Sequence, residues 1–185
     1  MAPTLLLVPY HPTWPSRFEA EVVRLRSALR GAASAIEHVG STAVLGLAGK
    51  PVLDVAIAVL SEGAADACIA PLEDLGYEYR GPYGDDPRRR YYVRGVGGAR
   101  VAHLHLYVLP AAGWDEQLGF RDALRADAAL ASAYAAEKFR VADAVGWRKA
   151  AYSLAKGAFV ERTLARLRQA QVTGLHVDAP FAERP

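Results

Sequence analysis

Along the chain the spacing of apolar positions changes from helical to extended and back to helical. Phe18, Val22, Leu25 and Leu29 recur at three- and four-residue steps. That amphipathic stripe predicts a helix over Phe18–Arg30, with Ser16 as its N-cap and Gly31 as its stop. Ala35–Val39 predicts a first strand. Val52–Leu60 predicts a second, and its nearly unbroken apolar run suits a position inside a sheet. Within it Asp54 shares a face with Val52, Ala56 and Ala58, while Leu53, Val55, Ile57 and Val59 point to the other. One face is fit to lie under helices; the other is lined by small residues around a carboxylate. Ala64–Leu75 reads as a second helix ended by Gly76, and Tyr77–Arg80 as a short strand. Gly81–Pro87 is a turn-rich loop, followed by a strand over Arg89–Val93. Val101–Leu109 alternates most clearly, with His103, His105 and Tyr107 on one face and Ala102, Leu104, Leu106 and Val108 on the other. Trp114–Arg125, Ala128–Val145 and Trp147–Gln169 are rich in alanine and leucine and predict three helices. The order of helix, strands and helices predicts an α+β fold, a mixed β-sheet packed by helices on one side with a helical C-terminal region. A single domain over residues 1–170 and a tail at residues 171–185 are expected.

Composition narrows the class. A chain of 185 residues, 52% hydrophobic, can bury a core of its own. A net charge of +2 makes no general case for nucleic acid. Cys68 is the only cysteine, which excludes an internal disulfide and a cysteine-based zinc site. No stretch approaches the ~20 apolar residues of a membrane span, so a cytoplasmic protein without a membrane partner is expected.

Several groups carry candidate chemistry. Gly40, Gly46 and Gly49 punctuate the turn between the first two strands, and Ser41 and Thr42 offer hydroxyls and amides to an anion there. His103 and His105 can converge on one ion. With Asp54 on a neighbouring strand they would form a two-imidazole, one-carboxylate set suited to a divalent metal. The plainer alternative is two structural histidines and a carboxylate paired with Lys50 or an arginine. His38 either orients Asp54 or packs in the core. Arg88, Arg89, Arg90 and Arg94 can clamp a phosphate or line a solvated strand edge. Tyr152 and Lys156 lie four apart with Arg148 before them, and Tyr134 with Lys138 forms a similar pair; each is a ligand-facing helix side or an ordinary exposed surface.

These residues resemble a known family. Tyr10-His11-Pro12-Thr13-Trp14, Glu37-His38-Val39-Gly40-Ser41-Thr42, Gly49-Lys50-Pro51-Val52-Leu53-Asp54, His103-Leu104-His105, Phe120-Arg121-Asp122 and Ala155-Lys156-Gly157-Ala158-Phe159 occur in the order of the GrpB family. The resemblance implies the DNA polymerase β-like nucleotidyltransferase fold, in which a Gly-Ser turn holds a triphosphate and acidic residues on later strands hold divalent metal. It places Gly40, Ser41, Thr42, Lys50, Arg90 and Lys156 at phosphate, and Asp54, His103 and His105 at metal and in catalysis. Magnesium or manganese is the expected ion, with zinc or iron as alternatives. Two departures stand out. The position of a second acidic residue is Ala56, and Val44-Leu45-Gly46 replaces the family's Val-Pro-Gly. Relatives also occur fused to dephospho-CoA kinase. The expected function is binding of a nucleotide or other phosphorylated small molecule with a divalent metal, extending to nucleotidyl transfer. The other classes are a metal-dependent enzyme that uses the His/His/Asp set on a small metabolite, and a non-catalytic binding module.

Overall fold

The structure is a computed structural model that describes residues 5–82 and 88–172. The loop expected at Gly81–Pro87 lies largely outside these residues, and so does the tail from Thr173. The described chain forms two compact units, Leu7–Gln117 and a second made of the N-terminal residues to Leu6 with the residues from Leu118 onward.

The first unit is built on a five-stranded sheet. Its strands are β1 (Ala35–Val39), β2 (Leu53–Val59), β3 (Tyr77–Pro82), β4 (Arg90–Val96) and β5 (Ala99–Val108), in the order β1-β2-β5-β4-β3. β2 and β5 run parallel at the centre, and the remaining pairs are antiparallel. The most apolar strand is therefore flanked on both sides, as its composition requires. Helices α1 (Trp14–Leu29), α2 (Glu62–Ala67) and α3 (Ile69–Asp74) bury one face. Leu53, Val55, Ile57 and Val59 of β2 and Leu104 and Leu106 of β5 pack there with Leu25, Leu29 and Leu72.

Local departures from the expected elements have simple causes. α1 begins at Trp14, with Pro15 in its first turn, where a missing N–H costs nothing; Ser16 is inside the helix and Thr13 stands at its cap. The helix expected over Ala64–Leu75 breaks at Cys68. Pro71 cannot donate to the carbonyl of Ala67 and its ring crowds that carbonyl, so the second piece starts afresh. The polar pairs on this face are closed ones. Glu21 of α1, 4% exposed, accepts from the Tyr77 hydroxyl at 2.8 Å and from Arg94 at 2.6 Å.

The second unit contains α5 (Ala128–Ala144) and α6 (Lys149–Val172), and the division between units falls within α4 (Ala112–Ala126). Asp127 caps α5 through a bond from the Leu130 amide at 2.9 Å. Trp147, expected inside the last helix, has φ +55 and stands ahead of its first residue. Tyr134 of α5 stacks on Phe159 of α6 at 5.2 Å and meets Phe120 edge-on at the same distance.

Candidate functional site

The register of the sheet decides which side chains share the face opposite α1–α3. Asp54 stands opposite Val39 on one side and His103 on the other; Ala56 stands between Glu37 and His105. Tyr91 of β4 stands opposite His105. Directly opposed residues point the same way, so Glu37, Asp54, His103, His105 and Tyr91 occupy one polar face.

The turn after β1 is shaped to that face. Gly40 has φ +70 and ψ −169, a region that is essentially glycine's alone, and leads into the single 3-10 turn Ser41–Ala43. A Cβ at Gly40 would lie 2.3 Å from Asp54 Oδ2. The bare backbone is thus pressed against the carboxylate. Gly49 does the same for Ser41, since a Cβ there would lie 2.7 Å from the Ser41 Cβ. These two glycines let the loop between β1 and β2 close over the end of β2.

Asp54 Oδ1 accepts from His103 Nδ1 at 3.0 Å. The other ring nitrogen of His103, Nε2, is buried and has no hydrogen-bond partner. His105 is held in the opposite sense. Its Nδ1 lies 3.0 Å from Arg89 Nη2, and because guanidinium only donates, Nδ1 accepts. Burial, followed by the Arg89 charge, pushes His105 down to about 3, so its imidazole is neutral throughout the physiological range. Tyr91 stacks on His105 at 5.0 Å and lies 5.7 Å from His103, which fixes both rings. Arg89 also sits over the Tyr107 ring, 5.0 Å from its centroid.

The structure thus brings Asp54 and His103 into contact and commits His105 to Arg89. Among the described residues no three of histidine, cysteine, aspartate and glutamate lie close enough together to hold a metal ion. Ser41 is half-buried at the turn, and Lys50 follows the backbone bridge between Val8 and Gly49. Other expected residues are placed elsewhere. Thr42 is 1% exposed and its hydroxyl is bonded to His38 Nε2 at 2.9 Å. His38 lies on the helix-covered face, stacked on Phe18 at 4.4 Å, and is a core histidine. Arg90 also points to that face and pairs with Glu62 at 3.1 Å and Asp66 at 2.6 Å on α2. Strand alternation makes Arg89, one position earlier, the arginine of the polar face. Lys156 belongs to the second unit.

Arg89 stood among the arginines expected to clamp a phosphate, although Arg90 was the one placed at phosphate; Glu37 was not selected. Glu37 was readable from alternation, because it shares a face with Val39, and the antiparallel register sets it beside Ala56.

A model of the GrpB protein family matches residues 4–166. A UPF0157 protein of Pseudomonas aeruginosa is 37% identical over 165 residues, covering 86% of this chain and 66% of the relative. One from Halalkalibacterium halodurans is 33% identical, covering 88% of this chain and 82% of that one. A dephospho-CoA kinase of Mycolicibacterium paratuberculosis is 43% identical over 74 residues, which is 38% of this chain and 18% of the kinase. Among solved structures, GrpB from Enterococcus faecalis superposes with a TM-score of 0.76 at 30% identity, covering 88% of this chain and 99% of the other. Cid1 in complex with its short product ApU aligns at 14% identity with a TM-score of 0.49, over 70% of this chain and 41% of that one. Likeness at that level carries no argument about activity.

Proposed function

Because the chain belongs to the GrpB family, we propose that its sheet unit binds a nucleotide or another phosphorylated small molecule on the polar face around Asp54. The observation that carries this reading is the contact between the Gly40 turn and the Asp54 carboxylate, where a Cβ would approach to 2.3 Å. Only glycine takes this conformation without strain, so the turn brings bare backbone against the carboxylate and leaves no room there for a side chain. Arg89 and Lys50 supply the charge to offset phosphate, and Ser41 supplies a hydroxyl at the turn. Arg89 takes the place first given to Arg90.

A divalent ion fits this face best when it arrives bound to its phosphates. Asp54 would offer a carboxylate oxygen and His103 its second ring nitrogen, which is buried without a partner. With His105 committed to Arg89, phosphate oxygens and water would fill the remaining positions. Such an ion would offset phosphate charge. Transfer of a nucleotidyl group would call for a further acidic group, and Glu37, beside Ala56, is the one the sheet supplies.

The test is thermal stability of the purified chain against nucleoside triphosphates, each with and without magnesium, manganese, zinc or iron, in wild type and Asp54→Ala. A ligand at a hundred times its dissociation constant adds ~2.7 kcal/mol. The expected result is a nucleotide shift that metal enlarges and Asp54→Ala removes. A shift with metal alone would favour a histidine-centred enzyme, and a shift untouched by Asp54→Ala would remove this face from the reading.

A further inference from the structure

Among the described residues β3 is the last strand of the sheet on its side, beyond β4. Its middle residues, Glu78, Tyr79 and Arg80, are all exposed, with 67% of the Glu78 side chain and 49% of the Arg80 side chain open to solvent. A strand in that position offers a row of backbone N–H and C=O groups to a further strand. The register tells where its side chains stand. Glu78 is opposite Val93, and Val93 is opposite His103, so Glu78 belongs to the polar side of the sheet. Arg80 stands on the same side, since its guanidinium donates to the Glu78 carboxylate. Tyr79 is opposite Tyr92 and belongs to the other side, where the two rings lie 5.1 Å apart and Tyr79 is still 42% exposed. Sheet edges are commonly protected by charge, and a row of one sign would repel a second copy. Here the charges are opposite in sign and flank Tyr79, which is the spacing that antiparallel self-pairing matches.

We propose that β3 is the edge through which two copies of this chain pair, antiparallel about a two-fold axis at Tyr79. A two-fold axis that relates neighbouring antiparallel strands runs perpendicular to the sheet, so each side chain must stand opposite one of the same face. Only registers centred on a residue satisfy that. Centred on Glu78, the pairing sets two glutamates opposite each other; centred on Arg80, it sets two arginines opposite each other. Like charges so placed are unfavourable. Centred on Tyr79, it sets Glu78 of each copy opposite Arg80 of the other on the polar side, and the two Tyr79 rings opposite each other on the helix side. Pro82, which has no N–H to give, and the irregular register between Tyr79 and Pro82 limit the pairing at one end. The contact is therefore short, of the size of a transient association. Both polar faces of the joined sheet lie on the same side, because the axis keeps each face where it was. Asp54 is on β2, with β5 and β4 between it and this edge, so the proposal does not depend on the ligand reading.

Sedimentation of the full chain over a dilution series tests this. The wild type is expected to dimerise reversibly as concentration rises. Glu78→Arg leaves arginine at both positions and Arg80→Glu leaves glutamate at both, so each variant alone should dimerise at least tenfold more weakly. Mixed in equal amounts, the two variants should form a one-to-one heterodimer, since every opposed pair again has opposite charges. A chain carrying both exchanges should dimerise as the wild type does. Arg140→Glu makes the same change in net charge as Arg80→Glu on an exposed residue of α5, and it should leave the dimer unchanged. Because the substituted side chains are exposed, the variants should keep the wild-type melting temperature. A wild type that stays monomeric throughout, a dimer that survives in both single variants, or variants that stay monomeric when mixed would overturn the proposal.

Discussion

Replacing Gly40 by alanine tests whether the turn and the carboxylate are built as one unit. Two costs are expected. Holding a Cβ-bearing residue at φ +70 and ψ −169 costs about 1–3 kcal/mol. The new Cβ would also meet Asp54 at its Oδ2, Cβ and Cγ, at 2.3, 2.9 and 3.0 Å, with Oδ2 the closest. The carboxylate must move, and the bond from His103 at 3.0 Å is lost with it. A hydrogen bond to a charged group contributes about 1.5–3 kcal/mol. Together these predict a loss of roughly 4 kcal/mol, or roughly 10 °C in melting temperature for a chain of this length. Gly31 is the control: its φ is +88 but no atom lies within 4 Å of its added Cβ, so Gly31→Ala carries backbone strain alone. Asp54→Gly completes a double-mutant cycle, since it removes all three contacting atoms and its own cost cancels. In that background Gly40→Ala should cost no more than Gly31→Ala. Thermal or urea unfolding reads all five proteins. An equal cost for Gly40→Ala with and without the Asp54 side chain would refute the idea that the carboxylate is what the turn is shaped around.

Other substitutions separate ligand-binding residues from structural ones. Arg89→Gln should weaken nucleotide binding at least tenfold and, because it takes a donor from buried His105 Nδ1, also cost about 1–3 kcal/mol, whereas Arg90→Gln, which breaks the partly exposed pairs with Glu62 and Asp66, should lower stability by ~1 kcal/mol and spare binding. Titration calorimetry and thermal melts on both proteins check this, and reversed effects would reject the facing assigned to β4. Thr42→Val leaves the buried His38 Nε2 without its partner and should cost about 1–3 kcal/mol with no change in nucleotide binding. Lys138→Met tests the cost of burying a lysine amine. An unfolded lysine holds its proton up to about pH 10.4. The folded one, lowered by burial and by Lys156, releases it at about 7. Between those values the unfolded state binds more protons, so wild-type stability rises with pH through that window. The methionine variant should be the more stable by a few kcal/mol below pH 7, with an advantage that shrinks as pH rises towards 10. A pH-independent difference between the two would count against the burial argument.

What could be read in the sequence divides along physical lines. The two faces of β2 followed from alternation, because a period of two allows no other arrangement once the strand is granted. The neighbouring of Asp54 and His103 needed more, since it depends on β2 pairing in parallel with β5 across α2, α3, β3 and β4, a connection that no local pattern contains. Thr42 was expected at phosphate, and His38 either to orient Asp54 or to pack in the core. They turned out to satisfy each other in the core, a partnership that appears only when the turn brings them to 2.9 Å. The three arginines at 88–90 share one chemistry, and a run of like residues does not reveal which of them faces the helices, as Arg90 does, and which the polar side of the sheet, as Arg89 does.

Ala56 shows why the second acidic residue is not merely absent. It is fully buried, and it packs on the polar side of β2 with Val39, Tyr107 and Ala111, against which Leu109 and Trp114 also rest. An aspartate placed there would sit in a small apolar cluster, where an unpaired carboxylate is strongly disfavoured. Its position is occupied by packing that holds the end of β5 and the start of α4 against the sheet. Glu37 avoids that cost, since it is only half-buried and carries its carboxylate on a longer side chain from the neighbouring strand. The two acidic groups of this face therefore come from adjacent strands. A site built this way spaces its carboxylates across the sheet rather than along one strand.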